Sequence, residues 1–254
     1  MADAARKAAL PHFRSSATIA DNKADEGYDP VTEADRAAER AMREILDRLR
    51  PDDAIEGEEY GSRPGASGFT WYLDPIDGTR AFVAGLPSWT TLIGVVREER
   101  PILGVIDQPW LDERYVGLTD GEPEAYADVR GHRARLVTRR LQQLTHAVLS
   151  TTDPFILTPP ERGAFEHVRA TARLTRYGLD AYAYARLAAG TIDMVIESGL
   201  KSHDVAALIP VIEGAGGHVT DWRGEPARLG GQIVAAGCRG ILDEALISLR
   251  RSAE

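Results

Sequence analysis

Three strand-like runs, Thr91-Leu-Ile-Gly-Val-Val96, Ile102-Leu-Gly-Val-Ile106 and Arg114-Tyr-Val-Gly-Leu118, follow one another with connections too short to hold a crossover helix. Parallel neighbours need a dozen or more linking residues, so these runs point to antiparallel pairing. A fourth run, Thr70-Trp-Tyr-Leu73, precedes them, and turn residues divide all four. After about Arg140 the rhythm changes. Ala147–Ser150 reads as strand, Pro160–Ala172 as helix, Arg173–Arg176 as strand, Asp180–Ala189 as helix and Asp193–Glu197 as strand. Such alternation indicates α/β structure. The expected organisation is an α+β half over residues 1–140 and an α/β half over 141–254, joined as one continuous unit.

Helices are expected around the strands. The alanine-rich stretch from Ala4 to Ala20 reads as one. Ala38, Met42, Ile45 and Leu49 recur at helical spacing and share a face of a second, which Pro51 ends. At its start Thr32 and Asp35 fit the S/T-x-x-E capping pattern, with Asp in place of Glu. Val205, Leu208, Ile209 and Ile212 form the apolar face of a late helix that Pro210 should kink and Gly214-Ala-Gly-Gly217 should end.

A chain of 254 residues, 43% hydrophobic and 27% charged, can bury a core without staples. No apolar run approaches the roughly 18 residues that would span a bilayer. Met1–Arg14 lacks the apolar region of a secretory signal, so a cytoplasmic location and no membrane partner are expected. Cys238 is the single cysteine, which excludes an intrachain disulfide and a cysteine zinc cluster. A formal net charge of -9 argues against duplex nucleic acid as a partner. It also constrains any phosphate-ester chemistry, because carboxylates repel such a substrate unless cations stand between them.

Asp74-Pro-Ile-Asp77-Gly-Thr79 meets that constraint. A strand is expected to end at Asp74, and the following turn can aim two carboxylates and an intervening carbonyl at one point, a donor set for hard cations. If Thr79 opens a short helix through Phe82, the Gly78 and Thr79 amides lie at its positive end, where a phosphate binds. The same residues also make ordinary turns. Gly57-Glu58-Glu59 can bind metal or face solvent. Asp204, at the start of the late helix, can bind metal or serve as a cap.

Taken in order, Asp29-Pro-Val-Thr-Glu-Ala-Asp35, Gly57-Glu-Glu59, Leu73–Thr79 and His203-Asp-Val-Ala-Ala followed by Gly214-Ala-Gly-Gly217 resemble the inositol monophosphatase superfamily over nearly the whole chain. The resemblance implies a layered α/β/α/β/α sandwich, with an antiparallel sheet in the first half, a second sheet in the C-terminal half and metals at their junction. It implies Glu58, Asp74, Asp77 and Asp204 as side-chain ligands and Ile76 as a carbonyl ligand, with Glu58 and Thr79 holding a water nucleophile that Asp35 also supports. It further implies up to three Mg2+ ions, lithium sensitivity and a homodimer. Four carboxylates and a phosphate dianion sum to about -6, which three such ions balance. One departure is His203, where the pattern commonly has tryptophan.

Other stretches, among them Asp21-Asn-Lys23, Thr151-Thr-Asp-Pro154 and Leu174-Thr-Arg-Tyr-Gly178, resemble the histidinol-phosphatase branch, apart from Leu179 where a glycine is expected. The implied substrate is a small phosphate ester, L-histidinol phosphate, whose ammonium and imidazole call for carboxylates. Asp180 and Glu197 fall at substrate-facing positions, each with a structural alternative as a cap or strand end. Arg176 is a further substrate-side candidate. Inositol 1-phosphate and a nucleotide 3'-phosphate are the alternative substrates. An inactive metal-binding regulatory module is the non-enzyme alternative, disfavoured because every expected ligand is present.

Overall fold

The computed structural model describes residues 1–15, 20–22 and 30–253. Lys23 and Asp29, and residues 16–19 of the expected first helix, lie outside the described residues. That helix is shorter than expected. It spans Ala2–Ala9, a 3-10 turn covers Leu10–His12, and Ala20 belongs to a strand, Ala20–Asn22, paired with Pro30–Thr32. Pro11 is the physical reason, since its ring cannot continue the helical ladder.

The second helix, Glu33–Leu49, starts at the expected Thr32/Asp35 capping box. Its buried face is turned from the expected one. Ala34, Ala38, Met42 and Leu46 are buried, whereas Leu49 is 62% exposed. Leu49 is the last residue of the helix.

Eight strands form the first sheet, in the order His132–Arg135, Glu124–Val129, Glu113–Leu118, Arg100–Gln108, Thr90–Arg97, Phe69–Asp77, Ala54–Gly57 and Gly61–Arg63. The expected antiparallel pairings hold, and only Ala54–Gly57 against Phe69–Asp77 is parallel. The second sheet runs Leu174–Tyr177, Val148–Thr151, Met194–Leu200, Gly231–Ala236 and His218–Thr220, parallel across its first three strands and antiparallel across the rest. Glu124–Val129, His132–Arg135 and the last two strands of this sheet escaped the sequence reading; His132–Arg135 is fully exposed and carries no alternation to read.

Three cores stack these sheets into five layers. Helices Ala2–Ala9 and Glu33–Leu49 cover one face of the first sheet through Met42, Leu46, Leu73 and Ile93. Helices Tyr182–Ala188 and Leu208–Gly214 fill the space between the sheets, where Leu92 and Ile106 meet Val195 and Ile233. Helices Pro159–Thr171 and Arg239–Leu249 close the far face through Phe165, Leu242 and Leu246. This is the α/β/α/β/α sandwich.

The middle layer approaches the first sheet closely because of one row of glycines. Gly94, Gly104 and Gly117 are direct partners on three adjacent strands. A Cβ on them would meet Ala206 Cβ at 2.6 Å, Ala207 O at 2.0 Å and Pro210 O at 2.2 Å. The row is thus a furrow in which the segment Ala206–Pro210 lies. The expected single late helix is two, Ser202–Val205 and Leu208–Gly214. The break at Ala206 and Ala207 falls where the Pro210 ring would crowd the carbonyl four residues earlier. Among the described residues no helix is long and apolar enough to cross a membrane.

Candidate metal centre

Asp74 does not end its strand. Phe69–Asp77 is continuous, and its register against Thr90–Arg97 shifts between Asp74 and Asp77. In a regular strand, residues three apart point to opposite faces. The irregularity removes that alternation, and carboxylate oxygens of Asp74, Asp77 and Asp204 come within 4.8 Å of one another. Thr91 Oγ1 fixes the bulge by donating to Pro75 O at 2.7 Å. The glycine furrow supplies the third carboxylate by seating the helix Ser202–Val205 against the bulge, where Asp204 Oδ2 accepts from Lys201 N–H at 2.7 Å.

The short helix opens at Thr79, as expected, and runs to Val83 from a left-handed Gly78. Thr79 Oγ1 donates to Ile76 O at 3.0 Å and lies 3.5 Å from Asp35 Oδ1. Asp35 Oδ2 accepts from Thr32 N–H at 2.7 Å and from Thr32 Oγ1 at 2.6 Å. Asp35 therefore caps its helix with one oxygen and reaches Thr79 with the other. Glu58 follows Ala54–Gly57, its N–H bonded to Leu73 O at 3.1 Å. Behind it the fully buried Glu39 accepts from Glu59 N–H at 2.7 Å and Tyr60 N–H at 3.2 Å, and is paired with Arg43 at 2.7 Å. Gly57 leaves room for this pair, because a Cβ would fall 2.0 Å from Glu39 Oε1 and displace it.

Glu58, Asp74, Ile76, Asp77, Thr79 and Asp204 line one cavity of about 270 Å³, together with Lys201 and His203. Burial pushes the Asp74 carboxyl well above its ordinary range, and the charges of Glu58, Asp77 and Asp204 push it further. Asp77 is raised by burial and by Asp180 and Asp204. Burial also raises Asp204, against the lowering influence of His203, whose Nε2 is 3.5 Å from Asp204 Oδ1. Burial pushes Asp35 to about 6. Asp74 Oδ1 is buried with no hydrogen-bond partner among the described residues. An oxygen-only donor set with mutually repelling carboxylates and one orphaned oxygen fits a hard divalent cation.

A second cavity of about 140 Å³ adjoins the first and is lined by Asp77, Asp180, Glu197, Asp204 and Tyr184. Glu197 is buried and accepts from Thr152 N–H at 2.8 Å and Thr152 Oγ1 at 3.0 Å, yet burial still pushes it to about 8. Asp180 adopts a left-handed φ of 49°, is raised to about 6 by burial, and stands against Gly78, whose Cβ would lie 3.0 Å from Asp180 Oδ2. Its neighbour Ala181 donates N–H to Asp77 Oδ2 at 2.6 Å. Arg176 is not brought to this site: it is exposed on the strand Leu174–Tyr177 and lines neither cavity. Glu39 and Tyr184 were not singled out from the sequence, and Thr152 stood there only within the stretch Thr151–Pro154, with no role of its own. A charged residue one position beyond the apolar Ala38 of an amphipathic helix was the available signal for Glu39; Tyr184 had none.

Comparison with known proteins bears on this geometry. The family model described as the inositol monophosphatase family matches residues 1–254. The chain is 40% identical to the bifunctional phosphatase IMPL2, chloroplastic, of Arabidopsis thaliana, over 98% of this chain and 72% of that protein. It is 37% identical to a histidinol-phosphatase of Mycobacterium tuberculosis, over 87% of this chain and 84% of that one. Among solved structures, an inositol monophosphatase from Zymomonas mobilis superposes with a TM-score of 0.85 at 43% identity, covering 98% of this chain and 94% of the other.

Proposed function

Because this chain belongs to the inositol monophosphatase family, we propose that it is a magnesium-dependent phosphatase that hydrolyses L-histidinol phosphate to L-histidinol and inorganic phosphate. The observation that carries the reading is the pairing of two acidic cavities: one with an orphaned Asp74 oxygen, the other with the half-buried Asp180 and the buried Glu197. The first suits cations that meet a phosphate. The second suits a leaving group that is itself cationic. Relatives at 32% to 37% identity named histidinol-phosphatase support the same substrate.

Glu58, Asp74, Asp77 and Asp204 would hold the ions through their carboxylates and Ile76 through its carbonyl. When bound, magnesium supplies an acidified water and neutralises charge on the phosphoryl group. The remaining work falls to the chain. Thr79 Oγ1, held between Ile76 O and Asp35, orients the attacking water. The Gly78 and Thr79 amides, at the start of Thr79–Val83, receive phosphate oxygens. Water oxygen bonds to phosphorus as the ester P–O bond opposite it breaks. The alcohol leaves with a proton derived from that water, and no covalent enzyme intermediate forms. Glu197 and Asp180 hold the ammonium end of the alcohol.

The 43% identity to an inositol monophosphatase makes inositol 1-phosphate the competing substrate. Phosphate release from L-histidinol phosphate, inositol 1-phosphate and adenosine 3'-phosphate under identical magnesium decides between them. L-Histidinol phosphate should have the highest kcat/KM. A higher value for inositol 1-phosphate would overturn the substrate assignment and leave the phosphatase reading intact.

A further inference from the structure

A third cavity, about 620 Å³, opens beside the acidic pair and shares Thr152 and Asp180 with both of its neighbours. Its character is different. Leu86, Pro154, Phe155 and Tyr177 contribute to its wall, and the three large side chains among them are open to solvent: Phe155 76%, Leu86 54%, Tyr177 44%. Single exposed apolar side chains need no explanation. These three line one cavity together, each on a hydrogen-bonded backbone. The Arg162 guanidinium donates to Pro154 O at 3.0 Å, Phe155 O at 3.3 Å and Leu157 O at 3.2 Å, and stands 5.1 Å from the Phe155 ring centroid. Phe155 N–H also reaches Asp153 Oδ1 at 2.9 Å. Ser88 Oγ donates to Gly178 O at 3.1 Å, tying the residue after Tyr177 to the loop that carries Leu86, and Leu86 N–H is bonded to Ala81 O at 2.8 Å. The fold thus presents an apolar, partly aromatic wall to solvent beside the acidic pair, in a cavity that Arg80, Asp153, Glu166 and Arg169 also line.

We propose that this wall is a ring subsite, so that the enzyme hydrolyses phosphate esters whose alcohol carries a flat aromatic ring, charged or uncharged, in preference to those of polyhydroxylated alcohols. The inference rests on the phosphatase reading above and deepens it. Asp180 stands at the junction of all three cavities, where it meets a cationic substituent between ring and phosphate. Phe155 and Tyr177 supply stacking and edge contacts to the ring, and Leu86 and Pro154 exclude water from it. An uncharged ring gains the wall contacts without the carboxylate pairing, whereas a polyol gains neither.

The test uses 2-phenylethyl phosphate, which has the ring and lacks the ammonium, against glycerol 2-phosphate, which lacks both, on the full chain with magnesium. Wild type should favour the ring ester in kcat/KM by about tenfold or more, the scale of one good ring contact plus its buried area. In Phe155→Ala combined with Tyr177→Ala that ratio should fall toward one, and 2-phenylethylphosphonate should lose inhibition by a similar factor. Phe155→Leu alone, which keeps the apolar bulk, should lower the ratio less than Phe155→Ala. A wild-type ratio near one overturns the ring subsite while leaving the phosphatase reading standing. Hydrolysis of neither ester by protein that releases phosphate from L-histidinol phosphate overturns the ring subsite alone, and release from none of the three overturns both readings. A double variant that changes the oligomeric state in light scattering yet keeps the wild-type ratio overturns the proposal too, and assigns the wall to contact between copies of this chain.

Discussion

Glu197 carries a tension at the residue scale. It is buried, it accepts two hydrogen bonds from Thr152, and burial nevertheless raises it to about 8. Its folded value exceeds the ordinary carboxylate value, so between the two the folded state holds a proton that the unfolded state has released. Stability therefore falls as pH rises through that interval. His218, pushed below its usual value by burial, works in the opposite sense, but only below its ordinary 6.5. The window from about pH 6.5 to 8.5 thus belongs to the carboxylates. Chelator-treated protein should lose several degrees of Tm across it, and Glu197→Gln should flatten part of that slope. A Tm that is constant or rises over the window contradicts the burial of Glu197 as an acid that its two hydrogen bonds compensate only in part. In the loaded enzyme, neutralising Glu197 or Asp180 should lower kcat/KM for L-histidinol phosphate relative to glycerol phosphate by roughly 1.5–3 kcal/mol, about ten- to a hundredfold, the range for hydrogen bonds to charged groups. A parallel fall for both esters would make these residues structural supports.

At the scale of elements, the metal centre depends on how closely the segment Ala206–Pro210 lies on the first sheet. Gly104→Ala puts a Cβ 2.0 Å from Ala207 O, a backbone atom that a rotamer change cannot clear. The helix carrying Asp204 must move or the strand must bend. The expected cost is about 1–3 kcal/mol of stability, with weaker magnesium binding in calorimetric titration because Asp204 is displaced from Asp74 and Asp77. Unchanged affinity in a folded Gly104→Ala protein would show that the furrow does not position Asp204. The carboxylates of this centre were legible in the sequence, since Asp74, Asp77 and Asp204 stand in motifs and converge in space. The furrow was not legible. Gly94, Gly104 and Gly117 are far apart in sequence, and only the strand register makes them neighbours. The bulge was misread for a related reason: Asp-Pro-x-Asp-Gly has the composition of a turn, and only pairing with Thr90–Arg97 keeps it in the sheet. Helix boundaries shifted where local breakers acted, at Pro11 and ahead of Pro210.

For the whole molecule, layering places one sheet's bulge, one short helix and the C-terminal part of the second sheet's central strand around two adjoining acidic cavities, in a chain whose net charge of -9 already repels phosphate esters. Such an arrangement calls for cations before it can meet its substrate. Phosphate release from L-histidinol phosphate, followed while magnesium is titrated into chelator-stripped protein, tests that claim directly. The expected outcome is no turnover without the ion, a saturable rise as it is added, and loss of that rise in Asp77→Asn with thermal unfolding showing the variant folded. Turnover that persists in chelator, or near-normal activity of Asp77→Asn at saturating magnesium, would contradict it.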